Sequence, residues 1–185
     1  SYSHLDAEAA RTFYRHLCLL VRGAPALRLA ESSIFFDRQQ LRAGEDWGEA
    51  IDAALERAEV FVFLVSVNSL NSKFCCEREL AVAAARGIII VPVVLSECTW
   101  EDIVVPRDPL ARPLGRLGAL PKDDGFNLRE VSRWPQPDAA WTSVMRALKE
   151  RLHPQAAPID QLPVMAGAAA TAAAGPRHVP RLLPY

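Results

Sequence analysis

Apolar residues recur at helical spacing from Asp6 to Val21, where Phe13, Leu17, Leu20 and Val21 fall on one stripe at intervals of three and four. Ser32 to Phe36 then reads as a short buried strand. After a polar loop the stripe returns at Trp47, Ile51, Ala54, Leu55 and Ala58, with Glu45 and Asp46 in the first turn, where the helix dipole favours negative charge. The runs "VFVFLVS", Val60 to Ser66, and "GIIIVPVVL", Gly87 to Leu95, are continuous and largely β-branched, the mark of strands covered on both faces. Between them, Ser72 to Arg86 reads as an alanine-rich helix. Cys98 to Arg133 is irregular and proline-rich. Asp138 to Leu152, with Trp141, Val144, Met145 and Leu148 in register, reads as a last helix.

Strands alternating with helices predict an α/β fold, a flavodoxin-like doubly wound parallel sheet with helices on both faces. We expect that domain to occupy residues 1–152. From His153 to Tyr185 the chain is rich in alanine and proline and carries no sustained stripe, as expected of a linker or flexible tail leading toward a further module. The first residues, "SYSHLD", form a polar loop feeding straight into a helix. A doubly wound sheet has a hydrophobic strand at that point, so the central strand is expected to lie upstream of Ser1.

Composition narrows the function. With 185 residues, half of them apolar, the chain can bury one core of ordinary size. Lysine plus arginine number 21 against 22 acidic residues, a net charge of −1 that provides no basic field for nucleic acid or anionic lipid. The apolar runs fall short of the ~20 residues that cross a bilayer, and no stretch reads as a signal peptide. Cys18, Cys75, Cys76 and Cys98 show neither C-x-x-C spacing nor a nearby histidine pair, so reduced thiols in a cytoplasmic protein are expected rather than zinc or disulfides.

In an open parallel sheet, ligands sit outside the carboxyl ends of the strands. Three polar loops lead there: Ser1 to Asp6, Asp37 to Trp47, and Ser66 to Phe74. No G-x-G-x-x-G follows a strand and no G-K-[ST] occurs, so the usual cradles for a dinucleotide cofactor or a triphosphate are absent. A G-x-S-x-G elbow is missing too, and Val65 and Ser66 stand where a receiver domain would place its phosphoacceptor aspartate. Carboxylates, hydroxyls and aromatic rings remain.

The blocks "SYSHLD", "FFDRQQLRAGEDWGEAIDAALERAEVFVFLVSVNSLNSKFCCERELAVA" and "LPKDDGF…W…AW" together resemble a TIR (Toll/interleukin-1 receptor) domain of the bacterial NAD-cleaving effector type, over about residues 1–152. The resemblance implies an NAD glycohydrolase that releases nicotinamide and ADP-ribose or a cyclic isomer, with NAD as substrate and no other cofactor. It implies activation by oligomerisation, a role in bacterial antiphage defence, and other TIR protomers as partners. The segment Asp37 to Gly44 would be the assembly loop, with Arg38, Leu41, Arg42 and Gly44 at the contact. "FCCEREL" matches the family's aromatic, cysteine and glutamate block with Glu79 as the catalytic residue. Ser3, Asp37, Trp47, Ser66, Phe74 and Cys75 would line the substrate.

Duller readings stand beside these. Glu77 is an acid in the same turn as Glu79, and helical periodicity alone does not choose between them. Trp47 shares a stripe with Ile51 and Leu55 and could simply pack the core. Phe74 could be a helix-start packing residue, Cys75 and Cys76 small core residues, and Ser66, Ser69 and Ser72 helix caps. A non-catalytic TIR scaffold is the alternative function, and an N-glycosidic transferase acting on free nucleosides a more distant one.

Overall fold

A computed structural model of the chain describes residues 1–36 and 47–153. The expected assembly loop, with Asp37, Arg38, Leu41, Arg42 and Gly44, lies outside the described residues. So do the first-turn acids Glu45 and Asp46, the side chain of Trp47, and the chain from Pro154 onward.

Two parallel strands, β1 (Val60–Val65) and β2 (Ile89–Val94), pair in register from Val60 with Ile89 to Val65 with Val94. Their side chains alternate between two cores, as the period of a strand requires. Phe61, Phe63, Val65 and Val94 pack on one face with Ile51 and Leu55 of helix α2 (Trp47–Arg57). Leu64, Val91, Val93 and Leu95 pack on the other with Ala10 and Phe13 of α1 (Ala7–Gly23) and Trp141, Val144, Met145 and Leu148. Helices on both faces of a parallel sheet make the doubly wound α/β arrangement that the alternating pattern predicts.

Both outer edges of this pair carry further parallel contacts. Leu120 donates its N–H to Pro92 C=O at 2.9 Å, and Val94 donates to Leu120 C=O at 2.8 Å. On the β1 side, the Ser1 amino group donates to Val62 C=O at 2.8 Å and Leu64 N–H donates to Ser1 C=O at 3.0 Å. Ser1 thus sits in the position of a neighbouring parallel strand.

Two expectations need correction. Ser32 to Phe36 is not a strand: Glu31–Ser33 closes a 3₁₀ turn, with Ser33 N–H on Ala30 C=O and Ile34 N–H on Glu31 C=O. Phe36 is the residue of this run that reaches the core, where it stacks between Tyr2 and Tyr14. The helix expected from Ser72 to Arg86 begins earlier and is broken into pieces. Ser66 caps the short helix α3 (Val67–Leu70) by accepting Ser69 N–H at 3.1 Å, while Ser69 Oγ accepts Ser66 N–H at 2.9 Å. Phe74–Leu80 then winds as a π-helix, and α4 (Ala81–Ala85) completes the run. Gly87, at φ +69°, ends it: its N–H reaches Ala84 C=O and Ile88 N–H reaches Ala83 C=O, both at 3.0 Å. The last helix, α5, spans Pro137–Leu152.

Candidate functional site

β1 ends at Val65, and the chain leaving it carries most of the polar groups at this end of the sheet. Asp6, at the start of α1, accepts hydrogen bonds from Ser66 Oγ at 2.6 Å and Asn68 Nδ2 at 2.8 Å, tying the first loop to the third. A carboxylate bonded to two neutral donors is oriented as well as solvated. Replacing Asp6 with alanine is expected to cost about 1–3 kcal/mol, because Ser66 is buried and would lose its acceptor. Chemical denaturation of the variant against wild type measures this.

The π-helical turn decides the geometry of "FCCEREL". Its i→i+5 bonding widens the turn, and such segments recur at functional sites. Cys75 and Leu80 are fully buried at its two ends, and Glu79, half-buried, lies beside them. Ser1 Oγ donates to Glu79 Oε2 at 2.5 Å, so a residue from the first loop grips the carboxylate across the sheet end. Glu77 is exposed. The structure therefore separates the two acids that periodicity left open: Glu79 faces the fold and Glu77 faces solvent.

Glu79 and Ser1 line one end of a cavity of about 700 Å³. Most of that space runs along the edge of β1 and is lined by apolar side chains such as Phe13, Leu17, Ile51, Leu55 and Leu148. An apolar trough is a poor match for a polar dinucleotide. Ser1 and Glu79 are the polar pair at one end of it.

The other sequence-derived residues fall in three groups. Cys75 belongs with Glu79 and Ser1: burial pushes its thiol pKa up, opposed by a hydrogen bond to Ser72; the nearby Glu79 charge raises it further and Ser1 acts against that. Ser3 and Ser66 are buried near the same loops, but Ser66 caps α3 and Ser3 Oγ accepts Leu5 N–H at 3.4 Å. Phe74 is partly exposed, with the Arg78 guanidinium 5.5 Å from its ring centroid and Arg78 Nη2 3.1 Å from Asp52 Oδ2 on α2. That clasp ties the π-turn to the helix that begins at Trp47. Asp37 and the Trp47 side chain lie outside the described residues.

Sequence reasoning missed Ser1, Asp6 and Asn68. Ser1 and Asp6 bracket the quoted "SYSHLD" block, and a helix-start aspartate three residues beyond a serine was a visible signal. Its partners, some sixty positions away in sequence, were not. The vicinal cysteines are thiols held by the fold. Cys76 Sγ donates to the carbonyls of Ser69 and Leu70 at 3.4 and 3.5 Å, and burial, with Cys75 and Glu77 nearby, raises its pKa to about 11. Alkylation of Cys76 by iodoacetamide at pH 8 should be slower than in the unfolded chain by about tenfold or more. Mass spectrometry of timed labelling tests this, and equal rates would contradict it. Among the described residues, no three His, Cys, Asp or Glu side chains are grouped to hold a metal.

A family profile described as "TIR domain" matches residues 1–120. The uncharacterized protein y4lF of Sinorhizobium fredii (strain NBRC 101917 / NGR234) is 29% identical over 180 residues, which cover 95% of this chain and 50% of the relative. The chain thus spans about half the length of that relative. No solved structure matches it significantly.

Proposed function

The chain belongs to the TIR domain family, and from that premise we propose that it is an NAD glycohydrolase with Glu79 as its catalytic carboxylate. The observation that carries the reading is the placement of Glu79: half-buried on a π-turn that follows β1, and oriented by Ser1 Oγ at 2.5 Å.

One carboxylate suffices for this reaction. Glycoside hydrolysis ordinarily needs an acid to protonate the departing oxygen as well as a second carboxylate. In NAD the leaving group is a pyridinium, which takes the electrons of the ribosyl–nitrogen bond and departs as neutral nicotinamide. No proton donor is required. Glu79 stabilises the oxocarbenium charge left on the ribose and hydrogen-bonds its hydroxyls, and Ser1 holds one carboxylate oxygen so that the other can face the sugar. Water capturing the cation gives ADP-ribose; capture by a purine nitrogen gives a cyclic isomer. Asp37, Trp47 and Phe74 complete the substrate surface, with the buried Cys75, Ser3 and Ser66 shaping the turn and loops behind it.

The reading extends to assembly. Arg38, Leu41, Arg42 and Gly44 in the Asp37 to Gly44 loop dock a neighbouring protomer and complete its site, so activity depends on oligomerisation. The protein acts in the cytoplasm, in a bacterial defence response, without nucleic acid or membrane as direct partner. Among the described residues, no helix is long and apolar enough to cross a membrane.

The test is chromatography of the products after incubation of the assembled protein with NAD, and separately with free nucleosides. Nicotinamide released in step with ADP-ribose or its cyclic isomer is the expected result. Turnover of free nucleosides alone would indicate a different N-glycosidic activity, and no turnover in an intact assembly would indicate a scaffold.

A further inference from the structure

A second cavity, of about 490 Å³, lies at the opposite end of the sheet from Glu79. It is formed where β2 begins, between that strand, the segment following the 3₁₀ turn Leu114–Arg116, and the last turns of α5. Its size is within the range that takes a small organic ligand. The floor is apolar, built from Ile88, Ile90, Leu117 and Leu120. Among the described residues, the polar side chains around it are all of one kind: Arg112, Arg116 and Arg151, with no carboxylate in the lining.

These arginines are not equivalent. Asp108, whose carboxylate is almost wholly buried, accepts from Arg112 Nε at 2.8 Å and Nη2 at 3.1 Å, and from the Arg112 backbone N–H at 2.8 Å. Arg112 is thereby fixed in direction and its charge is balanced. Arg116 and Arg151 come from different elements, and neither guanidinium has an acidic partner among the described residues. Among the described residues, the cavity thus offers two arginines without an acidic partner and one oriented fork above an apolar floor.

We propose that this cavity binds a phosphate monoester with a compact apolar body. The charge decides for phosphate over carboxylate: a phosphate monoester carries about −1.5 to −2 at neutral pH, matching the two guanidinium groups of Arg116 and Arg151, and its oxygens accept their paired N–H donors. The body of the ligand covers Ile88, Ile90, Leu117 and Leu120. Because β1 and β2 are parallel, a ligand at the start of β2 is remote from Glu79 at the end of β1, so the site is separate from the proposed NAD site.

Gly118 provides a test that spares the fold. It lines the cavity, and a Cβ built on it meets nothing within 4 Å. Gly118→Leu therefore adds a branched side chain at the cavity's lining without a backbone clash. The experiment is an NMR titration of isotope-labelled protein with phenyl phosphate, with inorganic phosphate, benzoate and phenol as separate arms. Phenyl phosphate is expected to shift the amide signals of Ile88 and Gly118 saturably at millimolar concentration. The other three probes should bind about tenfold more weakly or worse, each lacking the body or the full charge. Gly118→Leu, and separately Arg116→Glu combined with Arg151→Glu, should abolish the shifts while thermal unfolding stays near wild type. Equal binding of inorganic phosphate or benzoate, no saturable shift at these signals, or shifts that survive both variants would overturn the proposal. Should Gly118→Leu unfold, the arginine pair decides alone.

Discussion

Glu79→Ala is expected to lower NAD cleavage by the assembled protein about 10²–10³-fold, while Glu77→Ala leaves it near wild type. The two acids are two residues apart, yet only Glu79 is turned into the fold, where Ser1 holds it and the cavity opens beside it. Electrostatic stabilisation of a developing cation depends on a charge fixed in place before the reaction, and removing one such group typically costs about 2.7–4 kcal/mol of barrier, which is that range of rate. The loss should appear in kcat more than in KM, because the ribose is neutral in the bound substrate and positive only at the transition state. Steady-state nicotinamide release by both variants, at equal oligomeric state, measures it. An equal loss from both substitutions would point to a general effect of charge on this turn, and loss from Glu77→Ala alone would reverse the assignment.

The second large effect is on stability. Phe63→Ala is expected to destabilise the domain by about 3–5 kcal/mol. Phe63 is wholly buried in the middle of β1, paired with Pro92 across the sheet, and its ring lies 6.4 Å from that of Phe61. The same core cluster includes Leu80 and Ala84, of the π-turn and the helix after it, so truncation removes a ring from the core on which that run packs. Rigid helices and strands collapse poorly around a missing ring, which places the cost toward the upper part of the range. A fall in the unfolding midpoint on the order of 10 °C follows for a domain of this size. A loss below 1 kcal/mol in chemical denaturation would show that the core around β1 is loosely packed.

Much of the fold was legible in the sequence because its signals are local. Unbroken apolar runs at Val60–Val65 and Ile89–Val94 specify strands covered on both sides, and stripes at Phe13 and Leu17 or at Val144 and Leu148 specify the helices that cover them. The failures also have local causes. Ser32 to Phe36 has the composition of a strand, but hydrophobicity alone does not supply a partner for its backbone, and the Ser33 side chain favours a turn by accepting Ala30 N–H at 3.2 Å. The early start of the third helical run is encoded in Ser66 and Ser69, residues that also read as caps in the sequence, although the alanine-rich stripe places the helix only from Ser72. The π-turn, which carries Glu79, has no sequence signature comparable to a cap.

The site divides in the same way. Family resemblance singled out Glu79, Cys75 and Phe74, and geometry brings Glu79 and Cys75 together with Ser1. The contacts from Ser1 to Glu79 and from Asp6 to Ser66 and Asn68 bridge distant parts of the chain, and no periodicity within either part reports them. The Arg78 clasp on Phe74 and Asp52 is another such link, made visible only by the packing of two helices.

The most direct test of the central claim is nicotinamide release from NAD by the protein fused to an oligomerising tag, compared with the same fusion carrying Glu79→Gln. Glutamine keeps the size of the side chain and an oxygen for Ser1 while removing the charge. Steady release by the wild-type fusion and its near-complete loss in the Glu79→Gln fusion is the expected result. Equal release by the two, or none from a wild-type fusion whose assembly is intact, would contradict a catalytic carboxylate at Glu79.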